Sequence, residues 1–374
     1  MHNSIFYSFF IMLCCYAMLK GDDMAETVHR ESIIAQSNNF ENEIEKSGLI
    51  IKDESLNAYL NGVLHKIAES NQLTIKVIQS PAINAFAMAN GTIFICTGLL
   101  AKIRNEAQLA ALLGHELVHI IRDHSYQNLV NTKKLALSSA NKQIGLQIFF
   151  GSLATSFANY NLQSAISGYS RDLEREADSL GLKKMRKAGY APIEFRNLFL
   201  ILKKAIELEN IKQPYFFSTH PAITERINNY YHLVGKDTIQ SARGLVNSEE
   251  YSKTIQSILL SDGNRLIASG KLNYAKANFS RILASDSGNA LACVQSGNIA
   301  RLRSAPVVNK DAFKWYYRAK DYQNSEDALR ELGFYYFKSG NTDSAAYYLK
   351  AYQTQCPLSP YQPVVEDYLK KCLR

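Results

Sequence analysis

Residues 105–124 have the sequence NEAQLAALLGHELVHIIRDH. Apolar residues recur along this segment at helical spacing, which predicts an amphipathic helix. Its predicted buried face consists of Leu109, Leu112, Leu113, Val118, Ile120 and Ile121. Asn105 is a favourable N-cap, and Gln108 three positions later completes a capping-box arrangement. The segment therefore predicts a helix that begins directly after Asn105.

His115, Glu116 and His119 form an HExxH pattern inside this helix. Residues four apart share one helix face, so both imidazoles face the same ion. Glu116 is rotated by about 100° from His115, within reach of a metal-bound water but outside the coordination positions. Zinc lowers the pKa of such a water to about 7, and a neighbouring carboxylate accepts its proton. The pattern predicts one zinc ion per chain, with Glu116 as the catalytic base.

A third protein ligand is expected in Ser170–Asp178, SRDLEREAD, at the start of a helix predicted over residues 172–188. Glu174 and Asp178 are four apart and share one face, whereas Glu176 points away and is the weaker candidate. Glu174 is predicted to bind zinc, and Asp178 to accept a hydrogen bond from a ligating imidazole. The alternative is a solvated charged face.

The flanking segments predict an α+β fold that is mostly helical. Leu56–Ile67 has helical periodicity, and residues 73–78 and 92–96 have the composition of strands. Residues 147–165 are apolar but interrupted by polar residues, which indicates a helical hairpin or a membrane-surface segment.

The amino terminus is predicted to be a signal peptide or an anchor, within residues 1–24. Fifteen residues without a charge, Ile5–Leu19, match the length of a signal peptide and fall short of a spanning helix. A buried N-terminal helix is the weaker alternative. In an oxidising compartment, Cys356 and Cys372 could form a disulfide, although the sequence leaves this open.

The last part of the chain contains an internal repeat. Ser269-Gly270 recurs as Ser339-Gly340, a displacement of 70 residues, or twice the approximate length of a tetratricopeptide repeat. Residues 255–374 are therefore predicted to form an α-solenoid whose concave face binds peptides, with generic helical hairpins as the alternative.

The net charge of the 374-residue chain is +8. From Ile255 onward there are 16 basic and 10 acidic residues, so the C-terminal part is the more basic one. This asymmetry favours an anionic partner. The basic residues are scattered and match no nucleic-acid-binding motif, so no nucleic-acid partner is expected.

The motifs together resemble a known family of zinc metallopeptidases. HELVH is followed, 55 residues after His119, by ExxxD within SRxxExEAD, and His124 lies five residues after His119. With residues 84–87, NAFA, these motifs resemble the family that contains HtpX, the Oma-type proteases and the CAAX prenyl protease, over residues 50–235. Because a repeat region follows, the bacterial periplasmic BepA type is the most similar member of this family. The resemblance implies a gluzincin-type metallopeptidase domain at residues 25–250.

The resemblance also assigns roles outside the HExxH helix. Asn84, Ala85, Phe86 and Ala87 are expected to form an edge strand along which an extended substrate binds. His220 is expected near the active site, where it either stabilises the oxyanion or occupies the open zinc position and represses the enzyme.

The expected function is that of an exported zinc metalloendopeptidase in the periplasm or envelope. The resemblance implies unfolded or stalled envelope proteins, in particular outer-membrane proteins, as substrates, with the repeat region recruiting clients or membrane-assembly machinery. A chaperone-like assembly factor with repressed or little proteolysis is the alternative. A scaffold without a metal would require the ligand pattern to be accidental.

Overall fold

A computed structural model of the chain describes residues 30–127, 169–209, 223–234, 238–305, 307–323 and 325–372. The described residues are mostly helical and include one small sheet, in agreement with the predicted class. The chain divides into two compact units, Met1–Val246 and Asn247–Arg374. The predicted N-terminal segment (residues 1–24) and the segment 147–165 lie outside the described residues.

The N-terminal unit contains several described helices, one of which carries the HExxH pattern. They are α1 (30–46), α2 (Glu54–Ala68), α3 (Thr97–Lys102), α4 (Glu106–Ile121), α5 (Arg171–Lys187), α6 (Ile193–Glu209), α7 (Ile223–Val234) and α8 (Thr238–Ser241). Helix α4 carries the HExxH pattern and packs against α2, α5 and α6.

The sheet has three strands, β1 (Thr74–Ile78), β2 (Ala85–Ala87) and β3 (Thr92–Cys96), in the order β1-β3-β2. Strand β1 runs parallel to β3, and β2 runs antiparallel to β3 with Phe86 opposite Phe94. Every residue of β3 is buried, as expected for a central strand covered on both faces. The two strands predicted from composition are confirmed, and β2 lies at one edge.

Helix α4 begins as predicted, with a modified cap. Asn105 accepts a hydrogen bond from the backbone N–H of Gln108 at 2.8 Å. The Gln108 side chain accepts from the backbone N–H of Arg104 instead of that of Asn105, so the capping box extends one residue further back. The prediction that Ile121 is buried is wrong, because it ends the helix and is 51% exposed.

Helices α4 and α5 approach closely at two glycines. A Cβ atom on Gly181 would lie 2.8 Å from the backbone nitrogen of His115, and one on Gly114 would lie 2.9 Å from the Gly181 carbonyl oxygen. Only a residue without a side chain fits at either position. The crossing holds the helix that carries Glu174 directly against the helix that carries His115.

The C-terminal unit is helical throughout its described part. Its helices are α9 (Ser248–Thr254), α10 (Gln256–Ala268), α11 (Leu272–Ser285), α12 (Ala290–Ser304), α13 (Lys310–Gln323), α14 (Glu326–Lys338), α15 (Thr342–Gln355) and α16 (Gln362–Cys372). The first helices of three successive pairs begin at Gln256, Ala290 and Glu326, which are 34 and 36 residues apart. The helices therefore repeat with the period seen in the sequence.

Cys356 and Cys372 are free thiols, and the Cys356 thiol donates to a Glu326 carboxylate oxygen. Over the described ranges of the chain, no helix combines the length and apolarity needed to cross a bilayer.

Candidate metal centre

Three side chains from α4 and α5 converge inside the N-terminal unit. The donor atoms of His115, His119 and Glu174 all lie within 4.8 Å of one another, and all three residues are buried. The two Nε2 atoms are 3.1 Å apart. Glu174 Oε2 lies 3.5 Å from His115 Nε2, and Glu174 Oε1 lies 3.6 Å from His119 Nε2. The structure thus brings together the three residues predicted as ligands.

This donor set fits a zinc ion. In a tetrahedral site with metal–donor bonds of about 2.1 Å, neighbouring donor atoms lie roughly 3.4 Å apart, close to the three separations seen here. Two imidazoles and one carboxylate are also a ligand combination of catalytic zinc sites that keep a position open for water. Glu116 directly follows His115 and is fully buried beside these donors.

The rings of the two candidate ligand histidines are oriented by contacts of their other ring nitrogens. His115 Nδ1 lies 3.0 Å from Asp178 Oδ1, so it donates to this carboxylate when Nε2 is the metal donor. His119 Nδ1 lies 2.9 Å from Nδ1 of His124, whose Nε2 lies 3.4 Å from a Glu176 oxygen. Burial lowers the pKa of His124 although Glu176 opposes this, which favours the neutral ring that accepts from His119. Asp178 and His124 thus each lie within hydrogen-bonding distance of one of the two candidate ligand histidines.

Tyr169 lies directly against His119, and Glu176 lies further out. The Tyr169 ring stacks on the His119 ring at a centroid distance of 3.8 Å, and its hydroxyl lies 3.1 Å from that of Ser125. Burial raises the pKa of Tyr169, so its hydroxyl stays protonated. Glu176 points away from the donor set, as predicted, and pairs with Arg122.

Arg226 on α7 belongs to this centre and was missed in the sequence. Its Nη2 and Nε donate to Asp178 at 2.5 and 2.9 Å, and its Nη1 lies 3.3 Å from Glu174 Oε2. Burial alone lowers the pKa of Arg226, but Asp178 and Glu174 raise it overall, so the guanidinium stays charged. The signal in the sequence that could have pointed to it was chemical, because three carboxylates predicted to lie together on α4 and α5 need a cation when they are buried.

The balance of charge supports the fit to a divalent cation. Among the described residues, the centre contains the carboxylates of Glu116, Glu174 and Asp178, and Arg226 is a buried cation that contacts two of them. With one divalent cation, these charges sum to zero.

The predicted substrate-binding segment is an edge strand close to this centre. Ala85, Phe86 and Ala87 form β2, and Asn84 precedes it, with its carbonyl accepting from the Cys96 N–H. All four residues are buried. A cavity of about 30 Å³ is lined by both Ala87 and His119, so the end of β2 and the metal centre are neighbours. His220 lies outside the described residues.

Comparison with known proteins identifies the family. Residues 50–234, which include α2 to α7, match the model of peptidase family M48. This part of the chain belongs to peptidase family M48. The family predicted from the motifs is therefore confirmed, and the matched residues include His115, His119, Glu174 and Arg226.

Individual relatives carry the names of metallopeptidases. The chain is 32% identical over 178 residues to the mitochondrial metalloendopeptidase OMA1 of Schizosaccharomyces pombe, a match covering 45% of this chain and 50% of the relative. It is 29% identical over 172 residues to the metalloprotease LoiP of Escherichia coli (44% and 64%). It is 24% identical over 226 residues to the beta-barrel assembly-enhancing protease of Yersinia pestis (56% and 45%).

The chain spans about half the length of the curated relatives it matches. The M48 family and the relatives' names support the predicted enzyme class, a metalloendopeptidase.

Proposed function

We propose that the protein is a zinc-dependent metalloendopeptidase. The observation that carries this proposal is the convergence of His115, His119 and Glu174 beside Glu116 in an M48-family domain. The two histidines and Glu174 would hold the ion, while Asp178 and His124 fix the orientation of the two rings. A bound zinc ion lowers the pKa of a water molecule to about 7 and polarises the peptide carbonyl.

Glu116 moves the proton in this reaction. Its carboxylate accepts a proton from the attacking water and passes it to the amine nitrogen of the leaving peptide. Since Glu116 is fully buried, its charge is little screened by solvent. Arg226 holds Asp178 and Glu174 in place and thereby positions the ligands, without itself handling the proton.

The peptide substrate is proposed to bind in an extended form along β2. Among the described strands, β2 is the last in the order β1-β3-β2 and pairs with β3, and the substrate would pair with its other backbone edge. The cavity shared by Ala87 and His119 supports this path, because it connects the end of β2 with a metal ligand. Main-chain pairing at an edge strand is tolerant of side-chain sequence.

Three variants test the catalytic proposal. Glu116→Gln should retain about one zinc per chain and lose turnover of a fluorogenic peptide, since this residue acts on the water and not on the ion. His115→Ala and Glu174→Ala should lose both zinc and turnover. Zinc is measured by elemental analysis of the purified chain. Wild-type protein with far less than one zinc per chain would overturn the proposal, and zinc loss in Glu116→Gln equal to that in His115→Ala would remove its assigned role.

The setting of this activity is proposed from the relatives and the amino-terminal sequence. The uncharged run Ile5–Leu19 supports export, either with cleavage or with retention as an anchor. A relative named beta-barrel assembly-enhancing protease supports a role in the quality control of envelope proteins, outer-membrane proteins among them. The helix pairs of the C-terminal unit, 34 and 36 residues apart, support a tetratricopeptide-like domain that recruits clients or assembly machinery.

A chaperone-like assembly factor with little proteolysis is the second candidate, and the burial of the centre favours it. His115, Glu116, His119 and Glu174 are at most 2% exposed, so a peptide reaches them only if neighbouring residues move. In this case His220 would act as a gate. His220→Ala should then raise peptidase activity with zinc still bound. A decrease of about a hundredfold would indicate oxyanion stabilisation instead.

A further inference from the structure

The C-terminal unit contains a groove whose lining is rich in cations. A cavity of about 480 Å³ lies between helices α11, α12 and α13. Four basic side chains line it: Lys276, Arg303, Lys314 and Arg318. Asp311 is the one acidic residue of this lining, and it pairs with Lys314 at 3.2 Å. The excess positive charge of the last third of the chain is therefore partly gathered on one surface, which we call the basic groove.

The arginines of the basic groove are held in place, whereas its lysines extend into solvent. Arg318 donates to the Ser287 carbonyl at 2.6 Å, and Arg303 donates to the Asn273 side chain. The Lys314 side chain is 75% exposed, and Lys276 is also exposed. The groove therefore presents two fixed guanidinium groups and two exposed ammonium groups, one of them paired with Asp311, and both kinds of cation pair with carboxylates in proteins.

The groove also has an apolar part. Trp315, Leu283 and Ile299 line it, and the first two pack against the core formed by Ala290, Cys293 and their neighbours. The Arg318 guanidinium lies 5.6 Å from the centre of the Trp315 ring. Because the helix core supports Trp315 from behind, its position is defined before any ligand binds.

We propose that the basic groove binds an acidic, extended peptide segment in which Asp or Glu residues flank an apolar side chain. The cations match the carboxylates, and Trp315 with Leu283 and Ile299 takes up the apolar side chain. A cavity of about 480 Å³ recessed between three helices admits a peptide, whereas a bilayer or a duplex needs a broad accessible surface. The inference deepens the proposed client-binding role of this unit and is independent of catalysis.

The chain contains one tryptophan, and it is Trp315, so its fluorescence reports directly on the groove. The full chain with Glu116→Gln, which prevents cleavage, is titrated with a short peptide in which Asp and Glu flank a Phe. A second peptide carries Asn and Gln at the acidic positions. The acidic peptide should change the Trp315 emission saturably and bind at least about tenfold more tightly than the amide peptide.

Two double variants have the same change in net charge. Lys276→Glu with Lys314→Glu alters the groove, whereas Lys350→Glu with Lys370→Glu alters exposed lysines outside its lining. The groove variant should bind the acidic peptide about tenfold more weakly, and the control within about twofold of the parent. Equal loss in both variants, or equal binding of the two peptides, would overturn the proposal.

Other partners are separate outcomes of the same assay. The Trp315 emission is also measured with vesicles of phosphatidylglycerol and with a single-stranded oligonucleotide. If either of these changes the emission and the acidic peptide does not, the peptide assignment is refuted in favour of a lipid or a nucleic acid. Zinc content is measured in each variant. If the Glu116→Gln parent retains zinc but does not bind the acidic peptide, this inference alone is refuted, whereas a parent without zinc refutes the proposed function.

Discussion

The contact between Gly114 and Gly181 should determine metal affinity although neither residue contacts the ion. We expect Gly181→Ala to weaken zinc binding. A Cβ atom at this position would lie 2.8 Å from His115 N and 2.9 Å from Gly114 C, both backbone atoms that cannot rotate away. Ordinary contacts of a Cβ atom begin near 3.4 Å. Helices α4 and α5 must therefore separate by roughly half an ångström.

That displacement is large for a metal site. Metal–ligand distances tolerate changes of about 0.2 Å, and here His115 and His119 lie on one helix and Glu174 on the other. We expect zinc affinity to fall by at least tenfold, as in variants that disturb the support of metal ligands. The overpacked crossing should also lower the free energy of unfolding by about 1–3 kcal/mol.

Competition with a chromophoric chelator measures the zinc affinity, and urea unfolding measures the stability. Gly62→Ala is the matched control, because Gly62 lies within α2 and a Cβ atom there meets nothing within 4 Å. The control should leave zinc affinity unchanged and raise stability by up to about 1 kcal/mol. Unchanged zinc affinity in Gly181→Ala, with the protein folded, would refute the argument that this crossing sets the ligand distances.

Three further predictions concern stability. Arg226→Ala should lower the free energy of unfolding by about 3–5 kcal/mol, measured in urea, because it leaves the Asp178 carboxylate buried without its cation, and Arg226→Lys should restore part of the loss. Burial raises the pKa of Glu41, but hydrogen bonds from Lys76 and its other partners lower it overall below its usual 4.5, so its contribution is present above pH 4.5 and is lost as the pH falls. Glu41→Gln should therefore destabilise the protein at pH 7 more than at pH 3, and an equal effect at both would contradict this reasoning. Asn105→Ala should lower the thermal midpoint by removing the N-cap of α4, at a cost of about 1 kcal/mol, and an unchanged midpoint would exclude a role for the cap.

Several features of the centre are local and were predicted from the sequence. His115 and His119 share a face because four residues make about one helical turn, whatever surrounds the helix. Glu174 and Asp178 share one face of α5 for the same reason, because they are also four residues apart. The start of α4 at Asn105 depends on a side chain three residues from its partner. Such features need no knowledge of the rest of the chain.

Strand β2 shows the limit of local patterns. Three residues, Ala85 to Ala87, are too short for periodicity to identify, and the expectation of a strand came from a resemblance to known proteins. The pairing of β2 with β3 in an antiparallel register, beside the parallel pair of β1 and β3, is a property of the assembled sheet.

The amino-acid sequence by itself determined which residues are the candidate metal ligands, because the spacing of ligands on a helix is a matter of a few neighbouring residues. Only the tertiary structure decided how close they come and what supports them. Arg226 contacts His115 across 111 residues, and no periodicity extends over such a distance. Gly114 and Gly181 matter only because two helices cross there. The basic residues of the C-terminal unit, scattered along the sequence, line one groove because the packing of α11, α12 and α13 brings non-neighbouring residues together.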